Sequence, residues 1–230
     1  MSRANLSLTH LVREPGRGAE PSPPLLLLLH GVGSNEEDLF GLAPYIDERF
    51  LVVSARAPVV LGYGSYGWFR IELTPGGGMV ADIEQAKKSL DALPGFVDEL
   101  VETYRADARR VYLAGFSQGA MMGLALTLTR PDKVAGLVAM SGRLPMQVLE
   151  HEPDREALEG KPVIVTHGLY DPVLPVEQGR AARDYLGALP VELTYREYPM
   201  GHEVSMESLR DVTAWLTKTL DSRGGTARKS

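Results

Sequence analysis

The pentapeptide GFSQG, Gly115 to Gly119, is the single G-x-S-x-G in this chain, and its serine is the natural place to look for a nucleophile. An apolar run, Val111 to Ala114, leads into it, and a second, AMMGLALTL, leads out. That is the strand, sharp turn and helix of a nucleophile elbow. Such a turn strains the serine backbone, and side chains two positions to either side would strike the strand or the helix, which accounts for glycine at both places. Ser117 is then held out at the end of a sheet. The plain alternative is a strand-to-helix turn with a serine cap.

A hydroxyl is a poor nucleophile near neutral pH, so it needs a general base, and the base needs a carboxylate to set its tautomer. In a strand–elbow–helix fold the order along the chain is serine, acid, histidine. Of the five histidines, His10 and His30 precede Ser117, leaving His151, His167 and His202. His202 stands in YPMGHEVS, between the last candidate strand and the last candidate helix. His151 lies in the polar stretch LEHEPDRE and reads as surface, while His167 ends an apolar run and reads as structural. For the acid, Asp171 in VIVTHGLYDPVLP follows a strand-like run by one short turn, and Pro172 keeps a helix from starting there. Asp132 and Asp154 sit in polar, surface-like sequence and Asp184 in a helical one.

Acyl transfer also needs hydrogen-bond donors for the oxyanion of the tetrahedral intermediate. One is expected from the N–H of Gln118, next to the nucleophile, and the second from a loop after an early strand. The stretch PPLLLLLHGVGSN, residues 23 to 35, supplies such a loop, where Gly31 and Gly33 would let the chain turn the Val32 N–H inward.

These groups need a scaffold that brings them to one edge. Continuous apolar runs recur in RFLVVSARAP (49–58), RRVYLAGFS (109–117), KVAGLVAMSG (133–142) and KPVIVTHG (161–168), with VELTYREY (191–198) alternating as an edge strand would. Helical spacing lies between them, in NEEDLFGLAPYID, from about Val80 to Tyr104, in QGAMMGLALTLTR, in PVEQGRAARDYLGAL and in HEVSMESLRDVTAWLTKTL. Strands alternating with helices predict an α/β fold with a mostly parallel central sheet flanked by helices, its ligand site at the carboxyl ends of the strands. Residues 1–230 are read as one domain, with an N-terminal strand and loop over 1–23 and a flexible tail over 221–230.

Composition narrows the classes further. The net charge of −6, with basic residues spread along the chain, argues against a nucleic-acid partner. With no cysteine there is no disulfide, thiolate metal site or cysteine nucleophile. The five leucines, Leu25 to Leu29, are too short for an export signal and far short of a membrane span, so the reading is a cytoplasmic protein without integral membrane association. GYGSYG, Gly62 to Gly67, matches a dinucleotide fingerprint, but WFRIELTPGGG follows it instead of a helix, and it is read as a loop. No H-E-x-x-H occurs, and neither a metal nor a cofactor is expected.

Taken together, LLHGVGSNEEDL, GFSQGAMMGL, SGRLP, HGLYDPVLPV and YPMGHEVS resemble the small serine esterases of the phospholipase/carboxylesterase family, α/β-hydrolases that include acyl-protein thioesterases. The resemblance runs from about Leu25 to Leu220. It implies Ser117, Asp171 and His202 as a catalytic triad, Val32 and Gln118 at the oxyanion hole, and cofactor-free hydrolysis of a carboxylic ester or thioester. It also implies that Trp68 and Val173 lie near the acyl group. GVGSNEEDL is more similar to the bacterial carboxylesterase branch than to the thioesterase branch, where an acidic residue usually follows the second glycine.

Only 19 residues, Gly142 to Gly160, separate two of the candidate strands, too few for a large cap, so an open, shallow site is expected. Tyr63, Tyr66, Trp68 and Phe69 form either an apolar wall for an acyl chain or part of the core. The leading expectation is a serine carboxylesterase acting on short- to medium-chain, small-molecule esters. A lysophospholipase or acyl-protein thioesterase is the alternative within the class, a non-catalytic ligand-binding member of the fold the alternative outside it, and a homodimer is left open.

Overall fold

The computed structural model describes residues 6–73 and 79–224. Its centre is a sheet of seven strands: β1 (His10–Arg13), β2 (Leu25–Leu29), β3 (Leu51–Ala55), β4 (Val111–Phe116), β5 (Gly136–Met140), β6 (Pro162–Gly168) and β7 (Glu192–Tyr198). Their order across the sheet is β1-β3-β2-β4-β5-β6-β7. β1 runs antiparallel to β3, and every other neighbouring pair is parallel. The architecture is that of an α/β-hydrolase.

The leucine run shows why such strands read as unbroken apolar sequence. Side chains alternate across a strand, so a strand covered on both faces must be apolar at every position. Leu25, Leu27 and Leu29 enter a cluster with Leu93, Phe96, Met122 and Leu126 on one face, and Leu26 and Leu28 enter another with Leu39, Phe50 and Leu216 on the opposite face. Each fully buried leucine contributes roughly 1.5–3 kcal/mol. The first face is covered by α2 (Ile83–Tyr104) and α3 (Gln118–Thr129), the second by the short α1 (Glu36–Phe40) and by α5 (Met206–Gly224). α3 is buried at all but its last residue, so it is apolar all round instead of amphipathic. α4 (Val176–Gly187) packs on β6 and β7 at the far edge.

Several expectations change. NEEDLFGLAPYID is not one helix: α1, capped by the Asn35 side chain on the Glu37 N–H, stops at Gly41, and Pro44 starts a separate turn over Ala43–Tyr45. Gly62 to Gly67 is a hairpin instead of a loop, with Val59–Gly62 paired to Ser65–Gly67 across Gly64, whose φ is +67°. A second hairpin pairs Ile71–Leu73 with Met79–Ala81. α5 extends to Gly224 and Asp221 accepts from Arg49 at 2.7 Å, so the segment from 221 begins as helix; residues 225–230 lie outside the described residues. β1 lies within the N-terminal segment, of which residues 1–5 are outside the described residues. Between β5 and β6 the only helical element among the described residues is a turn over Met146–Val148. No described helix is long and apolar enough to cross a membrane.

The consequence for the site follows from strand direction. β2, β4, β5, β6 and β7 all point the same way, so the segments after Leu29, Phe116, Met140, Gly168 and Tyr198 meet along one edge.

Candidate active site

Ser117 has φ 53° and ψ −115°, a region that costs a non-glycine residue on the order of 1–3 kcal/mol. Its N–H donates to the Met140 carbonyl at 2.9 Å, and its own carbonyl accepts from the Met121 N–H at 3.1 Å, so β5 and α3 hold the strain. The two flanking glycines are steric necessities. A Cβ on Gly119 would lie 1.9 Å from the Leu29 carbonyl oxygen, and one on Gly115 would lie 2.3 Å from the Gly119 carbonyl oxygen.

From this elbow a chain of hydrogen bonds runs inward. The Ser117 hydroxyl lies 2.9 Å from His202 Nε2, and His202 Nδ1 lies 2.7 Å from Asp171 Oδ2. Asp171 Oδ1 accepts from the N–H groups of Val173 and Leu174, each at 2.8 Å. Burial of the Asp171 carboxyl would raise its pKa, but the hydrogen bonds from His202, Leu174 and Val173 outweigh it and hold the group below the ordinary carboxylate range. A carboxylate there accepts a proton-bearing Nδ1 and leaves Nε2 free to accept from serine. The imidazole packs against the Phe116 ring with centroids 4.9 Å apart.

The acid and histidine loops are tied to each other as well. Leu169 N–H donates to the Tyr198 carbonyl at 2.8 Å and Tyr170 N–H to the Met200 carbonyl at 3.1 Å. Gly168 permits this approach, since a Cβ there would lie 2.3 Å from the Gly201 carbonyl oxygen. Behind Asp171 stands His167, fully buried, its Nε2 donating to the Leu174 carbonyl at 2.8 Å and lying 3.7 Å from Asp171 Oδ2.

At the other side of Ser117, Gly31 brings the loop after β2 close: a Cβ on it would lie 3.3 Å from Phe116 Cδ1 and 3.4 Å from Ser117 Cβ. Gly33, at φ +85°, turns the chain and donates to the Tyr66 carbonyl at 2.8 Å. Neither the Val32 N–H nor the Gln118 N–H, the latter at the first residue of α3, has a hydrogen-bond partner among the described residues. Free donors at a helix N-terminus and in an adjoining turn can stabilise a developing negative charge.

The aromatic segment is divided between solvent and core. Tyr63 is fully exposed, whereas Phe69 is buried and Trp68 has 0% of its surface exposed. The Trp68 indole N–H donates to the His30 carbonyl at 3.0 Å and its backbone N–H to Gln118 Oε1 at 2.6 Å. Trp68, which the resemblance sets near the acyl group, is packed beneath the elbow with its polar atoms bonded inside the protein. Tyr66 is half-buried, with the Arg56 guanidinium 4.5 Å above its ring. Val173 is 49% exposed beside Asp171, and Val32 is 39% exposed.

Three features are not anticipated from the sequence. His30 is fully buried, accepts from the Ala57 N–H at 3.0 Å through Nε2, and so donates from Nδ1 to the Gly31 carbonyl at 2.7 Å. Burial lowers its pKa, which keeps this neutral tautomer. The Gln118 carboxamide is buried, and His167 backs the acid. A shared signal marks both histidines: each ends an apolar run and precedes glycine, in LHG and in THG.

Residues 15–220 match the model of the Phospholipase/Carboxylesterase family. An acyl-protein thioesterase 1 of Kluyveromyces lactis is 29% identical over 217 residues, covering 88% of this chain and 94% of its own length. A probable carboxylesterase, SOBER1-like, of Arabidopsis thaliana is 28% identical over 233 residues, covering 96% of this chain and 87% of its own. Among solved structures, the Bacillus cereus carboxylesterase superposes with a TM-score of 0.78 at 25% identity, over 94% of this chain and 96% of its own. The match of the family model over most of the length, on an α/β-hydrolase fold with a serine elbow, places the chain in the phospholipase/carboxylesterase family of hydrolases.

Proposed function

We propose that the protein is a serine carboxylesterase that cleaves short- to medium-chain carboxylic esters through a Ser117–His202–Asp171 triad and an acyl-enzyme. The observation that carries this reading is the hydrogen-bond chain from Ser117 Oγ through His202 to Asp171, at 2.9 and 2.7 Å. His202 Nε2 takes the hydroxyl proton as Ser117 Oγ bonds to the ester carbonyl carbon. The oxyanion accepts from the N–H groups of Val32 and Gln118. Collapse of the intermediate breaks the bond to the alkoxy oxygen, which leaves with the proton from His202. Water then repeats the sequence on the acyl-serine, with His202 again the base, and releases the carboxylic acid.

Short acyl chains are favoured by the lack of a large cap among the described residues and by the withdrawal of Trp68 and Phe69 into the core. Val32, Leu169, Tyr170 and Val173, exposed apolar residues on the loops that follow β2 and β6, offer surface to an acyl group. Thioester cleavage on acyl-proteins is a second reading, supported by the name of the Kluyveromyces lactis relative.

The test is hydrolysis of p-nitrophenyl esters from acetate to palmitate by wild type, Ser117→Ala and His202→Ala. Activity that peaks at short chains and vanishes in both variants is expected. A peak at long chains would move the assignment to the second reading, and activity that survives Ser117→Ala would end both.

A further inference from the structure

Gln118 stands beside the nucleophile, yet its side chain takes no part in the acyl transfer described above and is only 2% exposed. Every polar atom of its carboxamide is engaged. Oε1 accepts from the N–H groups of Trp68, at 2.6 Å, and Phe69, at 3.4 Å, while Nε2 donates to the Phe69 carbonyl at 2.8 Å. The space is tight on the other side, where a Cβ on Gly67 would lie 3.2 Å from Oε1.

From Trp68 the connections continue through buried groups. Its carbonyl accepts from Ser89 Oγ on α2 at 2.5 Å, and its indole N–H reaches the His30 carbonyl. The His30 ring, set by Ala57 in the tautomer that carries its proton on Nδ1, draws the Gly31 carbonyl toward itself. A peptide unit is planar and trans, so a carbonyl and the N–H of the next residue point in opposite directions. Holding the Gly31 carbonyl against the imidazole thus aims the Val32 N–H away from it. Beyond Val32, the Gly33 N–H to Tyr66 and the Tyr66 N–H to the Ser34 carbonyl, both at 2.8 Å, fasten the loop to the same aromatic segment. The path starts in the side chain of the residue whose N–H is one oxyanion donor and ends at the peptide that carries the other.

We propose that the Gln118 carboxamide is a positioning group of the oxyanion hole, fixing the Val32 N–H relative to the Gln118 N–H through Trp68 and His30. This rests on the assignment of those two N–H groups as the oxyanion donors. Donors of this kind act only when they sit about 2.7–3.1 Å from the oxyanion, so a clamp that holds two of them in register determines the rate without touching substrate. Because Gln118, Trp68 and His30 are all buried, the bonds between them lie in a low-dielectric interior where they reinforce one another and resist displacement. A carboxamide that merely satisfied the backbone of a bent segment would affect stability alone.

The experiment uses the full chain with Gln118→Met, which keeps the backbone N–H donor and removes the clamp, with Trp68→Phe, which removes only the indole donor to His30, and with the double variant. kcat and KM on p-nitrophenyl acetate are measured together with the affinity for a trifluoromethyl ketone, whose hemiketal with Ser117 places an oxyanion in the hole. We expect kcat to fall roughly 10- to 100-fold in each single variant with KM within about 3-fold of wild type. Hemiketal affinity should weaken by the same factor as kcat, and the double variant should lose little more than the worse single one. Folded variants with unchanged kcat, unchanged hemiketal affinity, or losses that multiply in the double variant would overturn the clamp. Should Gln118→Met fail to fold, Trp68→Phe reads the same path from its other end. Wild type that is inactive, or Ser117→Ala that is active, would instead overturn the assignment on which the clamp rests.

Discussion

Replacing Asp171 by asparagine changes one atom of the site and probes how the histidine proton is held. The two carboxylate oxygens serve different donors. Oδ1 takes the Val173 and Leu174 N–H groups at 2.8 Å, and Oδ2 takes His202 Nδ1 at 2.7 Å. An asparagine oxygen can keep only one of these places. Turned the wrong way, its NH2 group would face both backbone N–H groups and leave two partly buried donors unpaired, at about 1–2 kcal/mol each. The amide nitrogen is therefore expected to face His202. A nitrogen that donates forces Nδ1 to accept, which moves the imidazole proton to Nε2, 2.9 Å from the Ser117 hydroxyl, where no proton can then be received. The expected loss in kcat is about 10⁴-fold, equivalent to about 5 kcal/mol of barrier. Asp171→Ala deletes both acceptors and should also destabilise the protein by about 2–4 kcal/mol more than Asp171→Asn. Initial rates on p-nitrophenyl acetate and urea denaturation of the two variants separate tautomer from stability. Asp171→Asn retaining more than about a tenth of wild-type kcat would rule out control by the tautomer, since wrong-tautomer loss is typically on the order of 10⁴-fold.

Gly119→Ala would set a Cβ 1.9 Å from the Leu29 carbonyl oxygen and 2.5 Å from its carbon, both backbone atoms of a buried strand. The start of α3, and with it the Gln118 N–H, must retreat by about 1 Å, for which an activity loss of about 100-fold is expected; near wild-type kcat in a folded variant would contradict it. Asp47 is held down to about 2, chiefly by the hydrogen bond from the Arg49 guanidinium, which burial of the carboxyl only partly opposes. A carboxyl with a depressed folded-state pKa stabilises the fold above its unfolded pKa, about 3.9, and that contribution is lost as pH falls through the folded value. Asp47→Asn should therefore cost about 1 kcal/mol at pH 7, after allowance for solvent screening at the exposed Arg49, with the difference closing between about pH 4 and pH 2. Urea denaturation of both proteins across that range is the check, and a difference independent of pH would count against the pair.

The features legible in the sequence are those that neighbouring residues decide. The elbow at Ser117 can be read because its strand, turn and helix are contiguous in the chain and Gly115 answers a contact with Gly119 four residues on, and the buried strands can be read because two covered faces demand apolar residues throughout. The turn after Leu29 and the position of Asp171 one short loop beyond β6 are of the same kind. The short hairpins were not legible, since three- and four-residue strands leave no period to read, and NEEDLFGLAPYID kept helical spacing across a glycine and a proline that break it. Which side chains meet across long stretches of chain is settled by the tertiary fold: Ser117 with His202, His202 with Asp171, Gln118 with Trp68 and Phe69, Trp68 with His30. The same fold turns Trp68 inward and leaves Val173 facing solvent. Those contacts depend on strand order, which brings β2, β4, β5, β6 and β7 side by side although they are far apart in the chain, and no local pattern encodes a hydrogen bond whose two ends are joined only by the sheet.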